Sequence, residues 1–131
     1  MPRWLRIALG YTTALNLFGA VSFSPLGRPI QRWAEFPDAP DLYLWSVASF
    51  ILGMGGAYGW MCWTNRPNRL VIALACYGKA TFALILFQGY LTDALPLLGA
   101  LSGLPDLILA GLFGAWLLST RHPDPTTSPA R

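Results

Sequence analysis

Residues Leu70–Tyr90 read LVIALACYGKATFALILFQGY, with a single charge, Lys79, near the middle. At ~1.5 Å per residue, a helix of this length spans the ~30 Å hydrocarbon core of a bilayer. The residues do not alternate between apolar and polar, as the strands of a membrane barrel must. Only helices and closed barrels satisfy every backbone polar group in lipid, so the stretch predicts a transmembrane helix.

Three further apolar blocks flank it, at about 4–23, 42–63 and 95–118. The chain is 54% hydrophobic and 11% charged. Soluble domains carry about 25% charged residues, and little sequence is left here from which to build one. These blocks predict an all-α polytopic membrane protein, a four-transmembrane-helix bundle over residues 1–119. The interfacial loop covers 24–41. The tail 120–131, polar and proline-rich, is expected to be disordered. The basic start MPRWLR invites comparison with a signal peptide. The apolar run after it is long for a signal and contains Thr12, Thr13 and Asn16, which favours a retained helix.

Basic residues set the orientation. Arg3, Arg6, Arg66, Arg69, Arg121 and Arg131 fall at the ends and in the second loop. The first loop holds only Arg28 and Arg32, and the third holds none. With an even number of spans, the positive-inside rule puts both termini and the second loop in the cytoplasm. The basic residues are scattered and form no patch, so no nucleic-acid partner is expected.

The connections TNRPNR (64–69) and QGYLTDALP (88–96) are short. They predict that span two lies beside span three, and span three beside span four. The longer SPLGRPIQRWAEFPDAPD (24–41) fits a short interfacial helix, or an ordered loop with Trp33 at headgroup depth.

Lys79 finds a partner by arithmetic. It lies 14 residues before Asp93, in the third turn, and Asp106 lies 13 residues after it. An antiparallel hairpin brings the two charges to one depth, ~20 Å from the turn. An isolated charge there costs at least ~2.5 kcal/mol, and a pair offsets much of that cost. Asp106 sits on a face of small residues with Gly99, Ser102, Gly103, Ala110 and Gly114. Asn16 lies 10 residues from Arg6, as Lys79 does from Arg69, so both fall at similar depth. The expected ligand-binding centre is therefore Lys79, Asp106 and Asn16, with Tyr11, Ser49 and Tyr77 as outer members. Pro105 removes a backbone donor and frees the Leu101 carbonyl. The simpler consequence is a bend. The other is a site for a cation or polar ligand beside a carboxylate.

Other chemistries find little support. His122 is the only histidine and follows span four, so paired histidine ligation of haem within the bilayer is excluded. Cys62 and Cys76 form no CxxC motif and read as small apolar residues. No phosphate-binding glycine loop, HExxH or Ser-His-Asp set is present, and no cofactor or metal is expected. Gly55 and Gly59 form a GxxxG spacing, which means close packing within the bundle or between protomers.

The segments LNLFGAVSF, LYLWSVASFILGMGGAYGW, YGKATF and GLPDLILAGLFGAWLL resemble small bacterial four-helix membrane proteins that are loosely DoxX-like. The resemblance covers roughly residues 4–118. It implies a four-span inner-membrane architecture and supplies no catalytic residue that carries over to this chain. The leading functional expectation is a small membrane protein whose polar centre binds or passes a small or lipid-like ligand. The first alternative is an accessory or structural subunit, in a homo-oligomer or a larger membrane complex. A membrane-embedded enzyme is the weakest alternative, because acid–base groups are so few.

Overall fold

In a computed structural model, residues 1–120 are described. They are all-helical: α1 is Arg3–Ser22, α2 Arg28–Trp33, α3 Asp41–Thr64, α4 Arg69–Leu91, α5 Leu97–Leu101 and α6 Leu104–Ser119. A 3-10 turn, Pro25–Gly27, joins α1 to α2. The expected disordered tail lies, beyond Thr120, outside the described residues. Three helical stretches are long and apolar enough to cross a membrane: α3, α4 and the combined Leu97–Ser119. The first block was expected to be a span by itself. It reaches that standard only together with Pro25–Trp33, turned from it by 80°, because Arg3, Arg6, Thr12, Thr13 and Asn16 dilute its apolar character.

Local chemistry sets the helix ends. Asp41 places a carboxylate in the first turn of α3, where the helix dipole favours it. Asn65 ends α3 in the left-handed conformation (φ 55°), which asparagine tolerates. Three residues later the Asn68 side chain caps α4 by accepting from the Val71 N–H at 3.1 Å. The fourth apolar block is broken between α5 and α6. Pro105 supplies no N–H for the Leu101 carbonyl, and the chain restarts as a helix at Leu104 with Pro105 in its first turn.

The loop between α1 and α3 contains a helix, α2. Buried Gln31 donates to the carbonyls of Ser22 (2.7 Å) and Ser24 (2.9 Å), locking the bend. Gly27 lies so close to the Ser22 carbonyl that a Cβ there would sit 2.2 Å from its oxygen. Arg28 then pairs with Asp41 and, at 3.7 Å, with Asp38, tying α2 to the start of α3.

The helices pack as two pairs. α1 lies along α3, α4 lies along α5 and α6, and α1 touches α6. The expected neighbours α4 and α5–α6 are side by side. The other expected pair, α3 and α4, diverges despite the short turn between them. The reason is where the small residues point. Gly55 and Gly59 of α3 face α1, where added Cβ atoms would come within 3.0 Å of Asn16 and 3.3 Å of Thr13. Across the other pair, the corresponding atom at Gly103 would lie 3.2 Å from the Ala83 Cα. Leu5, Leu9, Thr12, Ile72 and Phe113 are fully buried where the two pairs meet.

Two arginines close one end. Arg6 donates from Nε to the Cys62 carbonyl at 3.1 Å, near the end of α3. Arg69 donates to the carbonyls of Leu117 (2.7 Å) and Thr120 (3.0 Å) at the end of α6. The start of α1, the α3–α4 turn and the end of α6 therefore share one end of the bundle.

Candidate functional site

Lys79 projects from the middle of α4 and is 7% exposed. Its ammonium donates to Oδ1 of Asp106, in the first turn of α6, and the two form an ion pair. The register inferred from Asp93 is thus the register of the hairpin. The α5–α6 break places the carboxylate at a helix N-terminus, where backbone N–H groups and the macrodipole favour a negative charge.

Asn16 joins from α1. Its Oδ1 lies 3.5 Å from the Lys79 Nζ, and its Nδ2 donates to the Ile51 carbonyl of α3 at 3.1 Å. That bond fixes the amide orientation, turning the oxygen toward the ammonium. The centre thus takes one polar contribution from each of the four long helices. Thr12 and Thr13, on the same helix as Asn16, donate instead to the carbonyls of Ala8 (2.7 Å) and Leu9 (2.9 Å) and serve packing.

Tyr11, Ser49 and Tyr77 do not join the centre. All three are on the outer surface, and Tyr77 is 72% exposed. At ~100° per residue, Tyr77 lies ~200° around α4 from Lys79 and points away from it.

Tyr58 of α3 was not singled out in the sequence. It is 2% exposed, its ring packs near Phe113 with centroids 6.5 Å apart, and it lies within electrostatic reach of Asp106. Among the described residues its hydroxyl has no hydrogen-bond partner, and neither has Oδ2 of Asp106. Among the described residues, every fully enclosed side-chain nitrogen or oxygen does have a partner. The Tyr58 hydroxyl and the second Asp106 oxygen are therefore not fully enclosed by the chain. The signal in the sequence was the placement of Tyr58 three residues beyond Gly55, on the same inward stripe of α3.

Apolar groups bound the centre on both sides. Leu9, Ile72 and Phe113 lie toward the arginine end. Toward the other end, Phe23 meets Phe36 and Phe82 edge-on, with centroids 5.6 and 5.7 Å apart. No group of three or more His, Cys, Asp or Glu side chains able to hold a metal exists among the described residues. An ammonium, a carboxylate, an amide and a phenol can bind a polar group or water and can exchange a proton.

No protein-family model, curated protein or solved structure matches the chain.

Proposed function

We propose that the chain is a four-span protein of the cell inner membrane, with both termini in the cytoplasm. Its centre binds or passes a small or lipid-like ligand through Lys79, Asp106 and Asn16, with Tyr58 beside them. Support for the membrane setting comes from the outer surface. Leu42, Phe50, Leu70, Leu84 and Ile108 all point outward. An apolar surface on this scale has no counterpart on a soluble monomer. Exposed Trp4, Trp60 and Trp63 ring the arginine end, and Trp33, Tyr43, Trp45 and Tyr90 the other, as aromatic belts do at headgroup depth.

The observation that carries the ligand reading is the surplus of polar atoms. A pair present only to neutralise itself needs no third or fourth polar side chain. Here Oδ2 of Asp106 and the Tyr58 hydroxyl have no hydrogen-bond partner among the described residues, and neither is fully enclosed. Buried polar groups are normally paired, so an outside molecule is the natural partner.

A second reading is a structural lock that fixes helix register, alone or within a larger assembly. Its support is that the Lys79 ammonium is already engaged by Asp106 and faced by Asn16. Native mass spectrometry from mild detergent separates the two. A bound small mass lost in a folded Lys79→Met/Asp106→Leu variant supports the ligand reading. A bare wild-type chain, or one holding only stoichiometric protein partners, favours the lock.

A further inference from the structure

The divergence of α3 and α4 leaves a groove of about 720 Å³ at the arginine end. Ala57, Met61 and Val71 line its apolar part, and Trp60, Trp63, Arg66 and Asn68 are among its other lining residues. The arginines at this end differ in what they do. Arg6 and Arg69 are engaged by helix-terminal carbonyls. Arg66 is exposed and forms no ion pair among the described residues. Among the described residues no acidic side chain lies near it either: Glu35, Asp38, Asp41 and Asp93 are at the opposite end, and Asp106 is in the interior. Other donors surround it: the Asn68 oxygen is used by Val71 N–H, which leaves its amide NH₂ free, and neither indole N–H has a partner among the described residues.

We propose that this groove seats one anionic phospholipid. An acyl chain lies along Ala57, Met61 and Val71, and the phosphate is held by Arg66, the Asn68 amide and an indole N–H. Arginine suits a phosphate because its planar fork donates two parallel hydrogen bonds. Tryptophan suits the boundary because its ring is apolar and its N–H is polar. The headgroup of a zwitterionic lipid carries its own cation and gains less from an arginine. The proposal rests on the bilayer setting above and is independent of the Lys79 centre.

The test uses the full chain, extracted in mild detergent and titrated with phosphatidylglycerol or phosphatidylcholine of the same acyl chains. Native mass spectrometry reads the bound lipid. The wild type should retain one phosphatidylglycerol over phosphatidylcholine by about fivefold, the equivalent of ~1 kcal/mol for one basic residue near a headgroup. Arg66→Gln should erase that preference, Ala57→Trp should lower retention of either lipid, and Arg3→Gln should change neither. Equal retention of both lipids by the wild type overturns the proposal. So does an unchanged preference in Arg66→Gln, or displacement of the lipid by inorganic phosphate. Circular dichroism checks each variant's fold. If Ala57→Trp does not fold, the surface variant Arg66→Gln decides alone. A chain that stays in aqueous solution without detergent defeats the bilayer setting itself; an extracted chain with no lipid preference defeats only this site.

Discussion

The side-chain oxygen of Asn16 lies 3.5 Å from the ammonium of Lys79, although 63 residues separate them in the chain. The distance is long for a direct hydrogen bond, so the contribution is that of an oriented dipole facing a cation. Asn16 is held in that attitude by the Ile51 carbonyl, which makes α3 a silent fourth party to the charge pair.

Removing one member of the pair should harm the fold more than removing both. Lys79→Met or Asp106→Leu alone strands a buried charge, with an expected loss of ~3 to 5 kcal/mol. The double variant should lose clearly less than the sum. Unfolding of the three variants in mixed micelles, taken as a double-mutant cycle, measures the coupling.

Two glycines of α3 should respond in opposite senses. A methyl group at Gly55 meets the Asn16 Cβ at 3.0 Å, whereas one at Gly53 meets nothing within 4 Å. Gly55→Ala should push α1 away and cost ~1 to 3 kcal/mol. Gly53→Ala should be neutral, or stabilise by up to ~1 kcal/mol through helix propensity. Thermal unfolding of the two side by side checks the contrast.

Arg69→Gln should loosen the end of α6. The guanidinium makes three hydrogen bonds there, to the Leu117 carbonyl and to both oxygens of Thr120. Its loss should cost ~1 to 3 kcal/mol and raise hydrogen exchange in the last turn of α6, leaving α3 unaffected. Faster exchange throughout the bundle would contradict a local role.

Cysteines placed at Asp38 and Ser128, with Cys62 and Cys76 replaced by alanine, should label from opposite sides of the membrane. Asp38 should react with an impermeant reagent outside intact cells, and Ser128 only after lysis. The basis is the set of arginines at the end shared by the start of α1, the α3–α4 turn and the close of α6.

Much of this architecture was legible in the residues. Long apolar runs mark helices wherever they fold, and counting from Asp93 put Lys79 opposite Asp106 because an antiparallel hairpin preserves depth. Azimuth was harder to read. Tyr77 shares the depth of Lys79 but not its face, and Ser49 and Tyr11 fail for the same reason. Depth comes from counting along the chain, whereas facing depends on which neighbour each helix chooses. That choice turned on Gly55 and Gly59 seating α1 against α3, a contact between segments about 40 residues apart. Connection length pointed the wrong way for α3 and α4, because a four-residue turn brings helix ends together without aligning their sides. The break before Leu104 was written in Pro105, but its position at the carboxylate's own turn became clear only in three dimensions.

Both charges of the buried pair belong to the same hairpin, and this bears on how the protein is made. A ribosome delivers α4 and then α5–α6 in immediate succession. The second half of the chain can therefore enter the proposed bilayer already electrically quiet, without waiting for the first. Asn16, delivered earliest, brings no charge of its own. The order of synthesis thus never obliges a lone ion to wait in hydrocarbon for a distant partner.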